Sequence, residues 1–248
     1  MSVRQIQRGL YELRLPGVNT FLIESGPDGL VLIDTGVPGS GGQIISAVRS
    51  LGRDISDLRH ILVTHCHPDH AGGLAELKKA TGARVYMHRR DAMLVATGRA
   101  MRRLMPTPGI LNSILFKVMI EPKPKVVTAV KADVLVGNGD VIPLAGGISV
   151  IHTPGHTEGH LVFLANKYRA AFLGDAAANL FGLRLMMAYE HLQQGVMSLQ
   201  HLSRFEFDVA CFGHGPTIRQ GAGNQFRERW GQGVRIIRGA DRPGLFRP

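Results

Sequence analysis

A chain of 248 residues, 44% of them hydrophobic, has ample apolar material for a core and no low-complexity stretch, which excludes a disordered or fibrous protein. No run approaches the roughly 20 apolar residues of a membrane-crossing helix, and the nearest, Ile110 to Ile120, is too short. The 29 basic and 19 acidic residues give a formal charge of +10, which steers anions toward the protein or simply solvates its surface. The arginines gather between positions 84 and 103 and again between 219 and 247, without the interleaved aromatic residues of a single-strand binder. Nucleic acid is therefore not the expected partner. Two cysteines, Cys66 and Cys211, and a start without an apolar leader fit a reducing, cytoplasmic setting.

From Leu10 the runs LYELRL, VNTFLIES and GLVLIDTG are β-branched or alternating, parted by Pro16-Gly17 and Gly26-Pro27-Asp28-Gly29. They predict an antiparallel meander that leads into a buried strand. That strand delivers Asp34, a carboxylate that either caps the next turn or hydrogen-bonds a metal-binding imidazole. QIISAVRSLG follows as a helix with Ile44, Val48 and Leu51 on one side. Ile61 to Thr64 then read as a strand, and LAELKKATG as an amphipathic helix closed by Gly82. Between these two lies HCHPDHAGG, where His65, His67, Asp69 and His70 occupy six residues. Neutral imidazole and carboxylate are the usual ligands of zinc or iron, and this density of them past a strand end predicts a metal-binding loop. Cys66 alternates with the histidines and should face away from them, behind the ligands or in the core, and not serve as a ligand itself. His60 and His88 lack any ligand pattern.

After the short strand RVYMH, residues 89–131 interrupt the alternation. The spacing of Met93, Ala96, Ala100, Met101 and Leu104 predicts one helix, broken by Pro106 and Pro108. Ile110, Leu111, Ile114, Leu115, Val118 and Met119 predict a second, stopped by Pro122 and Pro124. Such a methionine-rich helical pair suits a lid or pocket wall that adapts to apolar groups, or equally a core or homodimer contact. Asn138-Gly139 in DVLVGNGDVIPL predicts a hairpin. GGISVIHTPGHTEGHLVFLA gives two strands around Pro154-Gly155-His156-Thr157, and YRAAFLGDAAA gives a strand ending at Gly174-Asp175. HLQQGVMSLQHLSRF is helical, and FDVACFGHG is a strand ending at His214. NQFRERWGQGVRIIRG is a last helix candidate, with Phe226, Trp230, Val234 and Ile237 in register. His65, His67, Asp69, His70, His156, Asp175 and His214 each follow an apolar strand beside glycine or proline, so one pocket at one end of the strands would collect them all. His160, placed within a strand, and His191 and His201, placed in a helix, do not share this pattern.

HCHPDH, TPGHT, LGDA and GHG, in this order and spread over most of the chain, resemble the metallo-β-lactamase fold superfamily. The resemblance implies an α/β, four-layer αββα sandwich of two mixed sheets flanked by helices, a single domain over 1–248 with the 89–131 helical insert inside it. It implies that His65, His67 and His156 bind a first divalent ion, that Asp69, His70 and His214 bind a second, and that Asp175 bridges them, with Asp34 in support. Zinc is expected first, with iron or manganese as alternatives. Two such ions would share a hydroxide that attacks an ester, thioester or lactone of a small molecule with an apolar acyl portion, with Asp69 orienting that hydroxide or passing a proton. Asp175 separates the chain from true β-lactamases of the family, which lack the bridging carboxylate. Glyoxalase II and the acyl-homoserine lactonases keep the full set, but the lactonase tyrosine is here Ala178, and no glutathione-binding region is matched. A phosphodiesterase or ribonuclease, or a single-iron persulfide dioxygenase, is the alternative.

Overall fold

The computed structural model describes residues 1–121 and 125–231. The predicted meander is present: β1 (Ser2–Gln7), β2 (Leu10–Leu15), β3 (Val18–Glu24) and β4 (Leu30–Ile33) pair in antiparallel succession. The chain then crosses through α1 (Gly41–Ser50) to β5 (Leu58–Leu62), and through α2 (Pro68–Ala71) and α3 (Leu74–Thr81) to β6 (Arg84–Met87). Both crossovers leave parallel neighbours, because a helix returns the chain to the end where it began. Gly82 closes α3 in the left-handed conformation at φ 69°, as its sequence position predicts.

The 89–131 stretch departs from expectation. α4 (Arg89–Val95) ends early, because Gly98 turns the chain at φ 76° and Arg99 pairs with Val126. The helical spacing that continues to Leu104 is therefore coincidental, and Ala100 is instead held by its N–H to Lys125 O at 3.0 Å. β7 (Met105–Pro106) precedes α5 (Ile110–Met119), on which Ile110, Leu111, Ile114 and Val118 are exposed and Phe116 is buried. Both predicted helices are thus present, the first cut short at Val95 and the second with most of its apolar stripe exposed.

The predicted Asn138-Gly139 hairpin is also absent. β8 (Val134–Leu135) pairs with β6, while β9 (Val141–Ile142) pairs with β10 (Ile148–His152), so this turn carries the chain from one sheet to the other. Turn chemistry fixes the local bend, but the buried faces of two different sheets choose the partners. β10, β11 (Leu161–Ala165) and β12 (Ala170–Phe172) run antiparallel. β13 (Ala188–Tyr189) pairs with β7, α6 (Leu192–Leu202) follows, and β14 (Val209–Cys211) lies parallel to β12. α7 (Ala222–Trp230) buries Phe226 and Trp230, whereas Val234 and Ile237 lie outside the described residues.

The result is a seven-stranded sheet, β1-β2-β3-β4-β5-β6-β8, facing a five-stranded sheet, β14-β12-β11-β10-β9. Strand alternation sorts the side chains into layers. Val31, Ile33, Leu62, Leu161, Phe163 and Phe172 fill the space between the sheets. Leu32, Ile44, Ile61, Leu74 and Leu77 seal α1 and α3 to the outer face of the first sheet. Val162, Leu164, Leu199, Phe212 and Phe226 seal α6 and α7 to the second. This is the expected αββα sandwich. Phe163→Ala, which would empty a fully buried ring site at the sheet interface, should cost about 3–5 kcal/mol, read as a fall in the urea midpoint. Cys66 and Cys211 are buried free thiols, and no helix among the described residues is long and apolar enough to cross a membrane.

Candidate metal centre

The expected residues meet at one edge of the sandwich, where β4, β5, β10, β12 and β14 all end. Asp34 leaves β4 at φ 61°, a left-handed conformation costing a non-glycine residue roughly 1–2 kcal/mol. Its carboxylate accepts hydrogen bonds from Thr64 N at 2.7 Å, Thr64 Oγ1 at 2.8 Å and His70 Nδ1 at 2.8 Å. Of the two roles the sequence leaves open for Asp34, the bond to an imidazole of the cluster is present. Pro68 opens α2, a single turn that buries His70 and puts Asp69 in its first turn.

Four of the five clustered imidazoles are fixed through Nδ1. His65 meets Thr64 Oγ1 at 3.0 Å, His70 meets Asp34, His156 meets Ala188 O at 2.9 Å and His214 meets Gly17 O at 2.8 Å. Bonding at Nδ1 leaves each Nε2 for the centre. His67 is the exception and turns Nδ1 inward, 3.1 Å from His65 Nε2 and 3.0 Å from His156 Nε2. Asp175 lies beside them, with Oδ1 3.3 Å from His70 Nε2 and Oδ2 3.3 Å from His156 Nε2 and 3.4 Å from His214 Nε2. Asp69 Oδ2 is 3.5 Å from His214 Nε2.

Two glycines make this approach feasible. A side chain at Gly213 would stand 2.5 Å from the His70 ring and 2.7 Å from Asp175 Oδ1. One at Gly174 would stand 2.5 Å from Thr64 Oγ1. The glycines of LGD and GHG are therefore part of the donor geometry, not merely of its turns.

His65, His67 and His156 form one group whose donor atoms lie within 4.8 Å of one another; His65, His70 and Asp175 form a second, and Asp69, His70 and His214 a third. Each group could hold a metal ion. The buried His70 Nε2 and Asp175 Oδ1 face each other at 3.3 Å without making a well-formed hydrogen bond, a costly state for polar atoms unless something of opposite charge sits among them. Nitrogen and carboxylate donors of this kind fit a divalent cation.

Without one, protons carry the compensating charge. Burial opposes a charged His214, but Asp175 and Asp69 outweigh it and push the imidazole up to about 10. His70 is likewise raised well above its usual value, against burial, by Asp175 and Asp34. His67, buried and facing His156, is pushed down to about 3. Burial pulls Asp175 and Asp69 upward, yet the neighbouring imidazoles hold both below the usual carboxylate range.

A family model described as the metallo-beta-lactamase superfamily matches residues 13–214. The chain belongs to the metallo-β-lactamase superfamily. Among its relatives it is 30% identical over 173 residues to "Probable metallo-hydrolase YflN" of Bacillus subtilis, covering 68% of this chain and 64% of that one. It is 28% identical over 207 residues to the Emericella nidulans "Thioesterase pkgB", covering 83% of this chain and 48% of that one. The chain therefore spans about half to two thirds of the length of the curated relatives it matches. Among solved structures, a beta-lactamase from Chitinophaga pinensis superposes with a TM-score of 0.68 at 27% identity, covering 93% of this chain and 91% of that one.

Within this metallo-β-lactamase sandwich, some residues at the centre carry no local sequence signal. His160 does not lie in a strand but in the turn before β11; it is fully buried, with Nδ1 2.8 Å from Thr153 Oγ1, and its Nε2 accepts the Asp175 N–H at 3.0 Å. It fixes the backbone of Asp175 and belongs to none of the donor groups. Tyr189, also fully buried, meets the His156 ring edge-to-face at 5.7 Å and donates its hydroxyl to Ala176 O at 2.9 Å. His191 precedes α6 as its cap residue, His201 lies within α6, and neither joins a donor group.

Proposed function

We propose that the protein is a dinuclear metal-dependent hydrolase of an ester, thioester or lactone bond in a small molecule with an apolar acyl portion. The observation that carries this reading is the convergence of five imidazoles and two carboxylates whose inward atoms include buried ones without a well-formed hydrogen bond. In this reading His65, His67 and His156 hold one divalent ion, Asp69, His70 and His214 hold the other, and Asp175 serves both. Zinc is the first candidate, since its preferred donors are these. When bound, such ions lower the pKa of water toward neutrality and polarise the oxygen of a scissile carbonyl. The chain's own residues set the orientation. Asp69, held ionised, would accept a hydrogen bond from the attacking water and so orient it, or pass its proton on. His214 is fixed by Gly17 O, which ties the β2–β3 turn and the GHG loop into one wall of the site.

Beside His214 lies a cleft of about 360 Å³ lined by Leu15, Gly17, Val18, Leu180 and Pro216 among others. Its mostly apolar wall supports an apolar acyl group. A larger cavity of about 420 Å³, beside Arg102, Arg103, Glu158 and Glu190, includes none of the clustered donors, so the smaller cleft is the better substrate site. The relatives named metallo-hydrolase and thioesterase favour hydrolysis of a carboxylic derivative. Protein loaded with zinc should turn over thioesters, lactones or aryl esters and lose that activity on chelation. Turnover confined to a β-lactam or a phosphodiester, or oxygen uptake with a single bound iron, would refute the proposal.

A further inference from the structure

α4 carries a third buried aspartate, besides Asp34 and Asp175. Asp91 is 1% exposed, and its carboxylate accepts four hydrogen bonds from three separate segments. Cys66 N donates at 3.1 Å, Thr157 Oγ1 at 2.7 Å, Gly159 N at 3.1 Å and Arg102 Nη1 at 3.0 Å. Cys66 stands between His65 and His67, and Thr157 follows His156. One carboxylate therefore joins the two loops that supply the first donor group. The join is tight as well as polar, for a side chain at Gly159 would stand 2.6 Å from Asp91 Cγ.

Arg102 closes the arrangement from the insert side. Its Nη2 donates to Arg90 O at 2.7 Å and its Nη1 also faces Glu190 Oε1 at 3.4 Å, while Glu190 Oε2 accepts Glu158 N at 2.7 Å. A carboxylate with this many donors in a buried setting is strongly directional, and losing it leaves several backbone groups unsatisfied at once. Asp91 meets the HCHPDH loop at Cys66, on the His65/His67 side, and accepts no hydrogen bond from α2, which carries Asp69 and His70, or from the strand ends at Asp175 and His214.

We propose that Asp91, with Arg102 as its counter-ion, is a positioning residue that sets the His65/His67/His156 group and leaves the Asp69/His70/His214 group untouched. The insert is then a structural part of one half of the centre. The inference rests on the metal-dependent reading above, and the tests separate the two.

Cobalt titration followed by visible absorption isolates each half. In a His214→Ala background, which spares the first group, Asp91→Asn should weaken cobalt binding about tenfold or more, the usual range for losing a partner of a metal ligand's support. In a His67→Ala background, which spares the second group, the same change should alter affinity less than about twofold by the additivity expected of unconnected sites. Equal weakening in both backgrounds, or none in either, overturns the proposal. Should Asp91→Asn fail to fold, Arg102→Met leaves the carboxylate in place without its counter-ion and must show the same asymmetry. Amide exchange in metal-free protein gives a second reading: Asp91→Asn should speed exchange at Cys66 and Gly159 and spare Thr35, whose N–H bonds His70 O at 2.7 Å. If the native protein takes up no cobalt, the hydrolase reading falls, and unchanged exchange at Cys66 and Gly159 would remove the brace as well.

Discussion

Asp175→Asn is expected to abolish turnover and to lower bound divalent metal from two equivalents toward one or none, measured by plasma emission after gel filtration. The carboxylate touches both halves of the cluster, within 3.3 Å of His70 Nε2 and His156 Nε2 and 3.4 Å of His214 Nε2. Asparagine keeps the shape but not the charge, and it turns an NH2 toward imidazole nitrogens that need an acceptor or a cation. Removing a partner of a metal ligand costs roughly 10–100-fold, so loss of a carboxylate that serves both proposed ions should exceed about 100-fold in kcat/KM. The fold should persist, because Asp175 N–H remains anchored on His160. Near-native activity with full metal content would show that the centre works without its middle carboxylate.

Metal uptake should release protons, and affinity should rise with pH through the neutral range. In the metal-free protein the His214 imidazole is pushed up to about 10 and His70 well above its usual value, both by Asp175 against the effect of burial. Both rings therefore carry a proton at pH 7 that a metal must displace, since only neutral imidazole ligates. Each displaced proton makes affinity about tenfold greater per pH unit below the imidazole's pKa. For His214 that slope should persist to about pH 10 and then flatten. Calorimetry in buffers of differing ionisation enthalpy counts the protons directly. The same pairing has an opposite consequence for metal-free stability: a raised imidazole pKa stabilises the fold fully below about 6.5, and that contribution fades as pH climbs through about 10. Binding that neither releases protons nor strengthens with pH would mean that the imidazoles are already neutral.

The meeting of these histidines and aspartates was legible because their signal is local: HCHPDH, PGHT, GD and GHG each follow an apolar run, and a strand end in an α/β sandwich is where such groups point. The sandwich was expected from the family resemblance, not from periodicity: LVFLA is apolar throughout, and only in the fold do its odd and even residues line different layers. Pairing across the chain was less legible. Asn138-Gly139 makes its turn, yet Val134 and Val141 join different sheets, a choice made by distant strands. The helical spacing from Met93 to Leu104 survives past Val95 in composition only, since Gly98 ends the helix. His160 and Asp91 had no signal at all. A lone polar residue that satisfies backbone groups far along the chain looks like any other until the chain is folded.

The clustered donors come from both sheets, one portion from the end of β5 and the rest from the ends of β10, β12 and β14. A cation seated among them would rivet the two halves of the sandwich together along a rim where no strand crosses between them. Heat resistance would then track the free ion concentration, since whatever binds only the folded form raises its melting point. Starvation for metal would do more than silence such a protein; it would unbutton it from that rim inward.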